Sequence, residues 1–229
     1  TFVLTNAAVG SIVVTEDAAT TTTGTTVALG TLNASVNSVD TSGVKGTQAF
    51  SVASATAATT LTLAGTAVAT VTGSAFADTF NVGSTAGVTH VLAGGAGEDI
   101  LNITAATGLV NVGSISAVEN INIAVVAGND ITLTTSFHAD VDNVVVTGGN
   151  SLSTLTTGTL VDTIQSVDAS AFTGNIVAAV IADKLDTTVE IKGGALLTDT
   201  VTNTITAAAT SNALKSTGVE ILTLNVDAD

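Results

Sequence analysis

The sequence contains no cysteine, which rules out a disulfide framework and thiolate metal or redox chemistry. Proline, methionine, tryptophan and tyrosine are missing too, and six phenylalanines supply all the aromatic side chains. Without proline, reversals of the chain fall to glycine and to short polar runs. Arginine is absent, and four lysines stand against nineteen acids, giving a formal net charge of −15 at pH 7. That balance excludes binding to a phosphate backbone, so nucleic acid is not an expected partner, and anionic membrane surfaces are repelled. No apolar run reaches the eighteen residues that a membrane-spanning helix requires, so no membrane insertion is expected. The opening Thr1-Phe2-Val3-Leu4-Thr5 has neither a methionine start nor the basic-then-apolar pattern of a signal peptide, which points to a fragment or a processed form.

What is present is an apolar set of Ala, Val, Leu and Ile, interleaved with Thr and Ser, in 229 residues that are 45% hydrophobic. Small and β-branched side chains of this kind suit thin stacked sheets. Val118-Glu119-Asn120-Ile121-Asn122-Ile123 sends its isoleucines to one side and its asparagines to the other, and Ile131-Thr132-Leu133-Thr134 repeats that order. Val144-Val145-Val146 reads as a strand buried on both faces, while Asp140-Val141-Asp142 places two carboxylates on one side of a strand. No segment holds a capped apolar period of 3.6 over three turns, so no substantial helix is expected. The predicted fold is all-β, a β-solenoid or stack of β-rolls; two β-sandwich modules divided near Gly128 are the alternative.

Two sets of words recur in the same order. Ser38-Val39-Asp40-Thr41-Ser42-Gly43 returns as Ser166-Val167-Asp168-Ala169-Ser170-Ala171, and Val118-Glu119-Asn120-Ile121 returns as Val219-Glu220-Ile221-Leu222. This internal duplication divides the chain into an N-terminal β-rich segment (1–35), a first repeat module (36–127), connecting strands (128–163) and a degenerate second module (164–229).

The most specific motif is Gly94-Gly95-Ala96-Gly97-Glu98-Asp99-Ile100-Leu101-Asn102. It fits the nonapeptide G-G-x-G-x-D-x-(apolar)-x, in which a glycine turn and a carboxylate help to bind calcium. Glycines allow backbone carbonyls to turn inward as hard ligands, and an aspartate adds a charged oxygen for a cation that takes 6–8 of them. A weaker copy, Gly73-Ser74-Ala75-Phe76-Ala77-Asp78, lies twenty-one residues earlier, where the neighbouring turn of a coil would place a second half-site. The candidate metal residues are therefore Gly73, Asp78, Gly94, Gly95, Gly97 and Asp99, with Ca2+ as the ion. A third echo, Gly193-Gly194 to Asp199, carries an extra residue before its acid and is a poorer candidate ligand.

With these residues in view, the chain resembles the calcium-binding surface-layer proteins of Gram-negative bacteria, which share this nonapeptide with type I-secreted repeats-in-toxin proteins. The resemblance rests on Gly94 to Asn102, on Gly73 to Asn81 and on the duplicated words, and covers residues 36 to 226. It implies an extracellular β-solenoid at the cell surface, assembling with copies of itself into a calcium-stabilised lattice. Members of that family often reach lipopolysaccharide through an N-terminal region, which is not recognisable in this sequence. A spacer or binding segment of a type I-secreted adhesin is the alternative. An enzyme is not expected: His90 and His138 are the two imidazoles, and G-x-S-x-G, H-E-x-x-H and Walker motifs are all missing.

Overall fold

The computed structural model describes residues 9–16, 26–65, 67–83, 90–110, 114–133, 140–160, 164–181, 189–194, 196, 198–206 and 214–227. Every assigned strand pair among them is parallel, and no helix occurs. The chain is a β-solenoid, as the short alternating strands predict; a sandwich of hairpins would pair antiparallel. It divides into two compact units, Thr1–Thr104 with Asn111–Glu119, and Ala105–Val110 with Asn120–Asp229.

In the first unit the strands are β1 (Ser11–Thr15), β2 (Val27–Thr31), β3 (Ser38–Gly43), β4 (Gln48–Ser51), β5 (Thr60–Leu63), β6 (Ala69–Thr72), β7 (Thr79–Val82), β8 (Val91–Ala93), β9 (Ile100–Ala106) and β11 (Ser114–Ser116). Successive turns of the coil add alternately to two sheets, one ordered β1-β3-β5-β7-β9 and the other β11-β8-β6-β4-β2. The second unit contains β10 (Gly108–Val110), β12 (Asn120–Val125), β13 (Ile131–Leu133), β14 (Asn143–Gly148), β15 (Thr154–Leu160), β16 (Ser166–Phe172), β17 (Asn175–Ile181), β18 (Val189–Lys192), β19 (Thr200–Thr206), β20 (Leu214–Thr217) and β21 (Ile221–Asp227). Its sheets run β12-β14-β16-β18-β20 and β10-β13-β15-β17-β19-β21.

In-register parallel pairing stacks like on like. Val39, Leu61, Phe80 and Leu101 form one fully buried column of the first unit, and Phe50, Val71, Leu92 and Ile115 form the facing one. Ile121, Val144, Val167 and Ile191 do the same in the second unit, opposite Ile131, Leu155 and Ile176. Each such side chain contributes about 1.5–3 kcal/mol by leaving water. Outward positions carry polar ladders: Asn102 Nδ2 donates to Asn81 Oδ1 at 2.9 Å, and Asn143 Nδ2 to Asn120 Oδ1 at 3.1 Å.

Two expectations need correction. Val145 is not buried: it points out of β14 beside Asp168 on the next rung, with Val144 and Val146 inward, so the three valines alternate like the other strands. Asp140 and Asp142 precede β14 in turn and coil and do not share a strand face.

The two Ser-Val-Asp words make the same local hydrogen bonds. Asp40 Oδ1 accepts from Ser42 N at 2.9 Å and Ser42 Oγ at 2.6 Å, and Asp168 Oδ1 accepts from Ser170 N at 3.0 Å and Ser170 Oγ at 2.6 Å. In both copies a β-bulge follows the aspartate, so that β3 and β16 each carry one more residue than the strand before them.

Candidate metal centre

The two turns singled out by the sequence lie one rung apart and touch. Gly73 and Asp78 bound the turn from β6 to β7, and Gly94, Gly95, Gly97 and Asp99 form the turn from β8 to β9. Gly73 N donates to Ala93 O at 2.7 Å, and Ala96 N to Ser74 O at 3.2 Å. Glycine is required because backbone meets backbone: at Gly95, with φ +117, a Cβ would fall 1.8 Å from Ser74 O, and at Gly97 it would fall 2.7 Å from Ala77 N.

Asp78 and Asp99 are fully buried, and so is Asp199 in the second unit. Each reaches back along the coil to accept a backbone N–H of the preceding rung. Asp78 Oδ1 takes Thr59 N at 2.7 Å, Asp99 Oδ1 takes Asp78 N at 2.6 Å, and Asp199 Oδ1 takes Ile176 N at 2.9 Å. Glu119 Oε2 in turn accepts Asp99 N at 2.7 Å, and Glu220 Oε2 accepts Asp199 N at 3.2 Å. A hydrogen bond to a charged acceptor is worth about 1.5–3 kcal/mol, so these acids hold the rungs in register whether or not an ion is bound.

The second carboxylate oxygen separates Asp99 from the other two. In all three turns the first glycine lies between that oxygen and a carbonyl of the following rung. A Cβ on Gly73 would stand 2.7 Å from Asp78 Oδ2 and 2.0 Å from Gly94 O; on Gly193, 2.8 Å from Asp199 Oδ2 and 1.9 Å from Gly218 O; on Gly94, 2.3 Å from Asp99 Oδ2 and 1.7 Å from Ala117 O. Asp78 Oδ2 is satisfied by Ser74 N, and Asp199 Oδ2 by Gly194 N at 2.8 Å. Asp99 Oδ2 is buried with no hydrogen-bond partner. The donor at the equivalent position is Gly95 N, in a residue with φ +117, and it makes no hydrogen bond to Asp99 Oδ2.

Burial pushes the Asp99 carboxyl up to about 6, helped by the negative charges of Asp78, Glu119 and Glu98 and opposed by the Asp78 N–H. Asp199 is also raised, by burial first and then by Glu220, with the N–H groups of Ile176 and Gly194 pulling the other way. A positive neighbour at the unpartnered Asp99 Oδ2 would relieve that burial.

The residues fit a hard cation at Asp99. Its Oδ2 and Ala117 O lie no more than about 4.0 Å apart, the sum of their distances from one point, and an ion held at 2.3–2.6 Å can contact both. The Glu119 carboxylate is held at the same residue through the Asp99 N–H. Among the described residues no group of three or more His, Cys, Asp or Glu is gathered as in an all-side-chain metal site. A bound ion would neutralise Asp99 and tie the Gly94 turn to the Ala117 corner.

Sequence reasoning named Asp199 as a poorer echo of the motif and missed the parts played by Ala117 and Glu119. Ala117 and Gly218 occupy the same left-handed corner, at φ 49 and 66, and each lies two residues before the glutamate that accepts the aspartate N–H. The legible signal was the shared Val-Glu word about twenty residues after each aspartate. His90 is buried at the start of β8, and His138 lies outside the described residues. Comparison with known proteins finds no matching family model, no matching curated protein and no matching solved structure.

Proposed function

We propose that this chain is a structural, non-catalytic segment of a calcium-stabilised surface-layer subunit, working outside the cell and assembling with copies of itself. The observation that carries the reading is the unpartnered, buried Asp99 Oδ2 facing Ala117 O inside a glycine nonapeptide. A parallel solenoid with a net charge of −15 adds support, because self-repulsion on that scale opposes close assembly until cations offset it. Asp99 supplies the charged ligand and Ala117 a carbonyl. Gly94, Gly95 and Gly97 allow the approach, and Gly73 and Asp78 supply the rung against which the turn is set.

So few protein ligands place the affinity at the weak, extracellular end, about 10⁻⁴ to 10⁻³ M. At ten times Kd, binding to the folded form alone adds about 1.4 kcal/mol. The test is metal analysis of the purified chain with electron microscopy before and after calcium is added. Bound calcium with flat two-dimensional arrays supports the coat. Extended single fibres would move the reading to an adhesin spacer, and an identical melt in calcium and in chelator would remove the ion from the account.

A further inference from the structure

At the end of β8 opposite the glycine turn, His90 is completely buried. Its Nδ1 accepts the Ala69 N–H at 3.2 Å, which places the ring hydrogen on Nε2, and Nε2 has no partner. Register sets Gln48, Ala69 and His90 in one column on successive rungs, since Gln48 pairs with Ala69 and Thr70 pairs with Val91. Gln48 Oε1 is engaged by Thr41 Oγ1 and Ala64 N, while its Nε2 is also buried without a partner. The column thus presents donors and no spare acceptor.

Among the described residues no carboxylate bonds the ring to receive a charge there, and Glu16, whose carboxylate oxygens are buried, follows β1, on the rung before that of Gln48. The strands stacked with His90 (β4, β6, β8 and β11) and those across the core (β5, β7 and β9) contain no ionisable side chain. Nor do the connections from 60 to 77 or from 100 to 118; Asp78, Glu98 and Asp99 belong to the glycine-turn end, and Asp40 and Lys45 to the rung of Gln48. A second proton can enter the ring only at Nδ1, where it expels the Ala69 N–H and leaves a buried cation facing other donors.

We propose that His90 is an acid-triggered release for the β6–β8 rungs of the first unit, and that protonation at Nδ1 breaks the hydrogen bond from Ala69 and opens this part of the coil. Burial holds the ring at about 4, below the usual 6.5. The neutral ring is the folded form, so its stability is complete above pH 6.5 and is lost as pH falls towards 4. A gap of about 2.5 pH units corresponds to about a 300-fold loss in the closed-to-open ratio.

The experiment is an NMR titration of the full chain from pH 7 to 4, run both with calcium and with chelator, following the imidazoles and the protection factor of the Ala69 amide. The chain has two histidines, and His90→Gln identifies the relevant signal. The expected result is a neutral Nε2–H ring titrating near pH 4 and an Ala69 amide that loses protection by about two orders of magnitude or more below pH 6.5, with a flat profile in His90→Gln. A ring titrating near 6.5, or Ala69 protection that is flat in the wild type or falls equally in the variant, overturns the proposal. If His90→Gln does not fold, His138→Gln assigns the signals, and the wild-type ring and Ala69 decide alone. None of these readings depends on an ion at Asp99.

Discussion

Replacing Asp99 by asparagine tests the electrostatic account directly, because its expected effect changes sign with calcium. The carboxyl is raised from 3.8 to about 6, so the folded protein holds this proton more tightly than the unfolded chain does. Stability from Asp99 is therefore greatest below pH 3.8, declines as pH rises towards 6, and at pH 7 the buried carboxylate is a net cost. A shift of about two units sets that cost at no more than about 3 kcal/mol. In Asp99→Asn, Oδ1 still accepts Asp78 N, and the new amide nitrogen replaces the lone Oδ2 with a donor close to Ala117 O. At pH 7 in chelator, the variant should be more stable than wild type by about 1–3 kcal/mol in urea unfolding, with the gap closing by pH 4. In millimolar calcium the wild type should recover and the variant should not respond. A variant less stable than wild type in chelator, or one that gains as much from calcium, would refute both the buried charge and the ion assigned to it.

Three further outcomes follow from the same turns. Calcium titration by calorimetry should give one ion per chain, because Asp78 Oδ2 and Asp199 Oδ2 already hold N–H donors; two or more equivalent sites would contradict that. Gly94→Ala places a methyl 1.7 Å from Ala117 O and should unfold the first unit, whereas Gly30→Ala, at φ +69 with nothing within 4 Å, should cost only about 1 kcal/mol in denaturant unfolding. Ala117→Gly relieves a non-glycine residue at φ 49 and copies Gly218, so it should raise stability by about 1 kcal/mol in the same assay.

The strands and their inward faces were legible because β periodicity is local: Ile121 and Ile123, or Leu61 and Leu63, announce a face within three residues. Val145 was misread because three consecutive valines hide the alternation, and only the rung above, with Asp168 beside it, reveals the outward face. The recurring Ser-Val-Asp word marked two places with the same side-chain bonds, but the bulge at each is a matter of register with the paired strand, which the word does not show. For the acids, sequence chemistry supplied one role and missed another. Asp78 and Asp99 fit a metal motif, yet their N–H partners sit about twenty residues earlier, a relation set by the circumference of the coil. The difference between Asp99 and Asp199 was equally hidden, since it turns on whether the residue after the first glycine donates to the second carboxylate oxygen.

Because Asp78, Asp99, Glu119, Asp199 and Glu220 all reach backwards, the turns whose amides they accept are not complete by themselves; each is sealed by the one made after it. A chain that appears N-terminus first therefore has an unfinished step at its growing front whenever it ends between one of these amides and its acid. Construction of the coil acquires a direction, like masonry in which each course is locked by the next.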